Sequence, residues 1–273
     1  DTLRCGVKTT KGVTGYDLTR LIIGSEGTLA IITRATLKLL PLPESKQTIS
    51  ASYQSIEGAT EAIVAIMNQS LIPSALEFLD NSAIELIRDQ PGISLPEQAN
   101  ALLLIEVDGL ASGMPDAIKQ ISSAASNSSL LETRHSNTEE EAKQLWATRK
   151  ALSPVLRKVA PNKLNEDVVV PVGKIPALLK GLQALSEKHG IPIVNFGHAG
   201  NGNIHVNLLY DTQNPDQASQ AHPCLCAVFD LVLGLGGTLS GEHGIGTEKM
   251  AFISQEIDEY TLSWMKKLKT LLD

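Results

Sequence analysis

The sequence predicts an α+β protein, with helices packed on one face of a largely antiparallel sheet. Two observations carry this. From Lys46 onward, apolar runs of strand length alternate with amphipathic stretches of helix length, the pattern of a sheet layered against helices. Then N-F-G-H-A-G-N-G-N-I-H-V-N, from Asn195 to Asn207, sets apolar residues on both sides of Asn201-Gly202. That dipeptide suits a two-residue type I′ hairpin turn, in which both central positions need positive φ. A hairpin within a β/α rhythm argues against an all-parallel sheet.

In chain order, residues 1–45 differ from the rest. Gly12, Gly15, Gly24 and Gly27 punctuate short apolar runs, Thr28–Leu40 alternates like a strand, and Pro41 and Pro43 end it. This reads as the tail of one domain followed by a linker. Strands are expected at Gln47–Tyr53, Ser74–Leu79, Ala101–Val107, Leu130–Arg134 and Glu166–Val170. Helices are expected near Ile56–Gln69, Ser82–Arg88, Pro115–Ala125, Lys174–His189 and Asp216–Leu235. A longer helix begins near Asn137, a plausible N-cap, with Glu139, Glu140 and Glu141 complementing the helix dipole. A glycine-rich segment, Gly236–Gly246, leads to C-terminal helices.

A chain of 273 residues that is 42% hydrophobic has ample apolar content for a core. A net charge of −7 and only 4% aromatic residues exclude a general nucleic-acid surface, which needs basic patches or stacking platforms. No apolar run approaches the roughly 20 residues that span a bilayer, and no signal peptide is visible. The chain starts at Asp1 without methionine, so it is expected to be part of something longer. Cys5, Cys224 and Cys226 have no framework spacing, which suggests reduced thiols and a cytoplasmic setting. Association with the inner face of a membrane stays open. Cys224 and Cys226, two apart on a helix, point to different sides and read as small packing residues.

With Asn201-Gly202 as the turn, Gly200 lies opposite Asn203, His198 opposite His205 and Phe196 opposite Asn207. Directly opposed Cβ atoms are about 5 Å apart on one face, so the two imidazoles can share a metal ion. They read equally well as ordinary hydrogen-bonding turn residues. Ser240–Gly246, S-G-E-H-G-I-G, holds Glu242 and His243 among glycines, where backbone can approach a ligand. Two histidines and a carboxylate make a common open metal site. Glu242 could complete such a set with His198 and His205, leaving His243 to move a proton, although nothing local in the sequence shows that it meets the hairpin. Arg149, on the long helix, is of the type that grips carboxylates, although an exposed helical arginine is usually solvated. Gly24–Thr28, G-S-E-G-T, can present N–H groups to a phosphate but matches no standard phosphate loop.

L-I-I-G-S-E-G-T-L-A-I-I-T, G-H-A-G-N-G-N-I-H-V-N and G-G-T-L-S-G-E-H-G-I-G occur here in the order seen in flavin-linked D-2-hydroxyacid dehydrogenases. The chain resembles that family over nearly its whole length. Its members include D-lactate dehydrogenases, glycolate oxidase flavoprotein subunits and D-2-hydroxyglutarate dehydrogenases, all of the vanillyl-alcohol-oxidase type. The resemblance implies a ferredoxin-like α+β substrate, or cap, domain over residues 46–273. Residues 1–45 would be the last part of the FAD-binding domain. It implies FAD as cofactor, touched here only by Gly24, Ser25, Gly27, Thr28 and Ile31. A divalent metal, zinc in some members, would be held by His198, His205 and Glu242. His243 corresponds to the catalytic acid/base, Asn207 to an active-site asparagine, Arg149 to the substrate-carboxylate arginine and Ser153 to a substrate-contacting threonine. A lysine carried by some members aligns with Asn165, which weakens a 2-hydroxyglutarate assignment.

The reaction so implied is oxidation of a small D-2-hydroxyacid of the lactate or glycolate type, with an electron acceptor the sequence does not identify. The region making most FAD contacts in the family would lie upstream of Asp1, so the chain alone is expected to bind FAD poorly and to be inactive. A homodimer or a peripheral membrane or respiratory partner is compatible with it. Two other readings remain: a stand-alone metallohydrolase using the same three ligands, and a non-catalytic subunit of a flavoprotein complex.

Overall fold

Helix and strand signals translate into this order along the chain: α1 (Leu18–Ile23), β1 (Ser45–Tyr53), α2 (Ile56–Met67), β2 (Ala75–Asp80), α3 (Asn81–Ile87), β3 (Ala101–Gly109), α4 (Met114–Ala125), β4 (Leu130–His135), α5 (Glu139–Val159), β5 (Asn162–Val169), α6 (Ile175–His189), β6 (Ile193–His198), β7 (Asn203–Tyr210), α7 (Pro215–Gly234), α8 (Ile253–Glu256) and α9 (Glu259–Leu272). The computed structural model describes residues 2–273. It divides into two units, Pro43–His243 and a second made of the chain up to Leu42 with Gly244–Asp273.

The first unit is built on one antiparallel sheet of seven strands, in the order β4-β1-β3-β2-β6-β7-β5. Its two halves repeat one plan. β1-α2-β2, then β3-α4-β4, gives the ferredoxin-like order β4-β1-β3-β2, with α3 inserted between β2 and β3. β5-α6-β6, then β7-α7, gives the matching order β6-β7-β5. The fourth strand of this second half shrinks to a single antiparallel bridge, Val169 to Thr238. The halves join through equivalent strands, β2 and β6, with Glu77 opposite His198 and Leu79 opposite Phe196. The buried Asp80 carboxylate seals this joint. It accepts from Asn195 N at 3.0 Å and Nδ2 at 2.9 Å, and caps α3 through Ala83 N at 2.8 Å.

Strand alternation sorts residues between the two faces. The Tyr53 hydroxyl donates to the Ala125 carbonyl of α4 at 2.6 Å, and Trp146 Nε1 of α5 donates to Thr48 Oγ1 at 3.2 Å. Odd positions of β1 therefore meet α4 and its neighbour α2, and even positions meet α5. α6 and α7 continue the α2/α4 layer over the second half. On the opposite face α3 and α5 enclose a core that includes Leu79, Ile84, Leu102, Leu152, Val194 and Phe196. α5 thereby crosses the face that carries the functional side chains.

The Asn201-Gly202 turn differs from the type I′ expectation. Ala199–Asn201 forms one 3-10 turn and only Gly202 takes positive φ, at 76°. A Cβ on Gly202 would lie 1.9 Å from the Val170 carbonyl oxygen, so close packing as well as φ demands glycine there. The longer loop shifts the register by two residues: Phe196, not His198, faces His205, and Val194, not Phe196, faces Asn207. A two-residue shift preserves the face, where a one-residue shift would have reversed it, so His198 and His205 remain diagonal neighbours. The long helix is capped one residue later than expected, by Thr138, which accepts from Glu141 N at 3.2 Å. Asn137 N instead donates to Glu141 Oε2 at 2.6 Å.

In the second unit Asp17 caps α1 and Asp258 caps α9. The strand expected at Thr28–Leu40 does not form. A strand needs a neighbour to pair its N–H and C=O groups, and no strand among the described residues lies alongside. Ile31, Leu37, Leu39, Leu40 and Leu42 are all exposed. No helix among the described residues is long and apolar enough to cross a membrane.

Candidate metal and proton-transfer site

Both halves of the sheet contribute to one cluster. His198, at the end of β6, and His205, in β7, present their rings 5.3 Å apart between centroids and nearly perpendicular. The chain leaving the Thr238 bridge brings Glu242 to them, with Oε1 3.7 Å from Nε2 of each histidine. These three ligand atoms lie within 4.8 Å of one another. The donor set, two imidazoles and one carboxylate, fits a divalent ion with an open position. Burial pushes the His205 ring down to about 4, with the nearby His198 and Arg149 adding to the effect. It is therefore neutral, the ligating form, near pH 7.

Glu77, in β2, is buried against His198 and Arg149 and was not singled out from the sequence. One carboxylate oxygen bonds His198 Nδ1, and the other accepts from Arg149 Nε at 2.8 Å. Burial alone would raise the Glu77 carboxyl, but the hydrogen bonds from His198 and Arg149 outweigh it and hold it below its ordinary range. The same bond to Glu77 raises His198 against the effect of burial. Arg149 lies over the Phe196 ring, 4.4 Å from its centroid. Its terminal nitrogens have no hydrogen-bond partner among the described residues, leaving that edge for an anion.

Asp167, in β5, also escaped the sequence reading. Its carboxylate is fully buried and sits in a concavity of backbone N–H groups. Oδ2 accepts from Gly241 N at 3.0 Å, Glu242 N at 2.6 Å and His243 N at 2.8 Å, and Ser240 Oγ lies 3.2 Å from Oδ1. Gly241 packs closely, since a Cβ there would lie 2.2 Å from Asn203 Nδ2 and 2.7 Å from Val169 Cγ2, and Asn203 would have to move. Asp167 thus holds the segment that aims Glu242 at the histidines. It also lies 3.5 Å from His243 Nδ1, while His243 Nε2 is 4.0 Å from Glu242 Oε1. A carboxylate beside Nδ1 favours the proton there and leaves Nε2 as the basic nitrogen. The His243 and His205 rings stack with centroids 5.6 Å apart.

The remaining expected residues are placed as follows. Asn207 is fully buried, with Nδ2 donating to the Val194 and His205 carbonyls at 3.1 and 3.2 Å and Oδ1 unpartnered among the described residues. Ser153 is exposed on α5, one turn after Arg149. Gly24, Ser25, Gly27, Thr28 and Ile31 belong to the other unit. There Gly24 N donates to Arg20 O, Ser25 N and Oγ donate to Ile22 O, and Thr28 N and Oγ1 donate to Ser25 O. Those donors are taken locally and do not form a phosphate cradle. Ile31 is exposed. Cys224 is buried and Cys226 partly buried on α7, both unpaired. A cleft of about 520 Å³ lies on the other face of the sheet against α2 and α6, away from the histidines.

Residues 42–273 match the family described as FAD linked oxidases, C-terminal domain. Glycolate oxidase subunit GlcD of Bacillus subtilis (strain 168) is 37% identical over 273 residues, covering 100% of this chain and 58% of the relative. The GlcD subunit of Escherichia coli (strain K12) is 31% identical over 95% of the chain and 52% of its own length. The mitochondrial D-lactate dehydrogenase [cytochrome] of Arabidopsis thaliana is 29% identical over 100% of the chain and 48% of its length. The chain thus spans about half the length of these relatives. Among solved structures, alkyldihydroxyacetonephosphate synthase superposes with a TM-score of 0.62 at 18% identity, over 96% of this chain and 49% of that one. The 4-ethylphenol oxidase of Gulosibacter chungangensis gives 0.58 at 15% identity, over 87% and 53%. These two show a shared fold.

Proposed function

Because the chain belongs to the FAD-linked oxidase family through that family's C-terminal domain, we propose that it is the substrate- and metal-binding part of a flavoprotein oxidoreductase. Its substrate is a small D-2-hydroxyacid of the lactate or glycolate type, which is oxidised to the 2-oxo acid. The names of two relatives, a glycolate oxidase subunit and a D-lactate dehydrogenase, support the substrate class. The observation that carries the reading is the convergence of His198, His205 and Glu242 beside a fourth side chain, His243, that is free to move a proton.

The chain's own residues divide the work. Arg149, steadied by Glu77 and Phe196, pairs its terminal nitrogens with the substrate carboxylate. His198, His205 and Glu242 would hold a divalent ion such as zinc, which would supply a Lewis acid at the substrate hydroxyl. His243 takes the hydroxyl proton at Nε2, and the Asp167 carboxylate beside Nδ1 stabilises the imidazolium that results. Asn207 supports the β6–β7 backbone behind the histidines, and Ser153 flanks Arg149 on α5. Flavin supplies the acceptor for the hydride from C2. The N–H donors of Gly24, Ser25 and Thr28 are spent locally. Residues 1–45 are assigned to the end of the FAD-binding domain and residues 46–273 to the cap domain; the exposed apolar run at Ile31–Leu42 suits a segment that packs against further protein.

The test is flavin reduction, followed anaerobically in the complete gene product, with D-lactate, glycolate and D-2-hydroxyglutarate. Bleaching by D-lactate or glycolate is expected, slowed about 10²–10⁴-fold by His243→Ala. No bleaching by any of the three, or a near wild-type rate in His243→Ala, would refute the reading.

A further inference from the structure

We propose that Glu77 is a positioning residue that fixes which nitrogen of His198 faces the metal and, with the same carboxylate, aims Arg149 at the substrate. This rests on the metal and substrate roles proposed above. Glu77 stands directly opposite His198 across the β2–β6 joint, so both side chains leave the same face of the sheet. An ionised carboxylate only accepts hydrogen bonds, and Glu77 accepts two at once, from His198 Nδ1 and from Arg149 Nε. The first bond keeps the His198 proton on Nδ1. Nε2 is left as a lone pair, and it is Nε2 that lies 3.7 Å from Glu242 Oε1. The second bond secures Arg149 by Nε alone and leaves its two terminal nitrogens to grip a carboxylate in parallel. One acid from the first half of the sheet therefore sets a ligand on the second half and the anchor on α5.

Glu77→Gln isolates the role, because an amide of the same shape offers one acceptor and one donor. With its oxygen toward Arg149, the amide N–H meets His198 Nδ1 and drives the ring proton to Nε2, where the ring cannot ligate. With its oxygen toward His198, it opposes Arg149 Nε–H with another N–H. Only the first orientation gives both partners a hydrogen bond, and it does so with His198 as the Nε2–H tautomer, because Arg149 Nε can only donate.

The experiment is long-range ¹H–¹⁵N correlation of the histidine rings in the metal-free chain, at a pH where the rings are neutral, together with titration by Co²⁺. In the wild type, His198 is expected as the Nδ1–H tautomer. In Glu77→Gln it is expected to shift to Nε2–H, with Co²⁺ affinity about 10–100-fold weaker and unchanged helical circular dichroism. A wild-type His198 found as Nε2–H overturns the proposal without any variant, and so guards against a Glu77→Gln chain that fails to fold. A folded Glu77→Gln that keeps Nδ1–H and wild-type Co²⁺ affinity overturns it too. A wild type that shows Nδ1–H but takes up no Co²⁺ refutes the metal site, while upholding the control of the tautomer by Glu77.

Discussion

The two halves of the sheet share one plan and differ in what they do with its last strand. In the first half β4 forms a five-pair ladder with β1, from Ile49–His135 to Tyr53–Leu130, and the chain continues into a capped helix. In the second half the corresponding stretch pairs only at Val169–Thr238 before turning away as Ser240–His243. Its backbone N–H groups converge on the Asp167 carboxylate, with Gly241 N also donating to the Asp167 carbonyl of β5 at 2.8 Å. The sheet faces diverge likewise. Toward α5, the central first half shows Thr48, Ser50, Ser52, Leu102 and Leu104, whereas the second adds Asn165, Asp167, His198, His205 and Asn207 to the apolar Val194, Phe196 and Leu209. The comparison teaches that a ladder makes a stable edge by tying the inward backbone groups of β4 to β1, whereas a bridge followed by a cradled turn releases side chains to project from the edge.

The largest effect should follow from removing the cradle. Asp167→Ala leaves the Glu242 and His243 N–H groups and the Ser240 hydroxyl without their acceptor, while Gly241 N keeps the backbone carbonyl of residue 167, a loss on the order of 3 kcal/mol by denaturant unfolding, with loss of divalent-metal uptake. Thr133→Val, in the ladder of the first half, should stay within about 0.5 kcal/mol and keep the metal. Equal effects at both positions would break the comparison.

A second effect concerns pH. The native His205 ring titrates at about 4, against an ordinary 6.5. In the metal-free chain, as pH falls from 6.5 toward 4, the unfolded ring takes up a proton that the native ring refuses, so stability falls with pH in that window. His198, raised by Glu77, acts in the opposite sense: its contribution is present at low pH and is lost as pH rises through its native value. The difference in stability between the wild type and His205→Gln isolates the first term. It should slope across that window, and a flat difference would remove burial as the cause. The smallest change expected is Ser240→Ala, about 1 kcal/mol in the same unfolding assay, because the three N–H groups still hold Asp167 in place.

Much of this was legible in residue pattern. Apolar periodicity marked the strands and helices of the first unit. The parity of a hairpin put His198 and His205 on one face even though its turn was misread, because a two-residue change of register leaves faces unchanged. Gly202 was correctly a positive-φ position, but glycine there also serves a 3-10 turn, and the dipeptide alone cannot separate the two. Glu77 and Asp167 were missed because each is one acid inside a strand and its partners lie far away in sequence, at Arg149 and His198 or at Ser240–His243. A signal was present for Glu77: in A-L-E-F-L-D it occupies the same face as Leu79, an acid aligned with the core. Thr28–Leu40 misled in the other direction, since alternation shows what a segment can pair with and not whether a partner stands beside it.

The central claim is that the relaxed edge of the second half gathers a metal site. The most direct measurement is metal content after dialysis against Zn²⁺ or Co²⁺, compared between the wild-type chain and a folded His198→Ala/His205→Ala double variant. One ion per wild-type chain and none in the double variant is the expected result. Equal metal content in the two would contradict the claim.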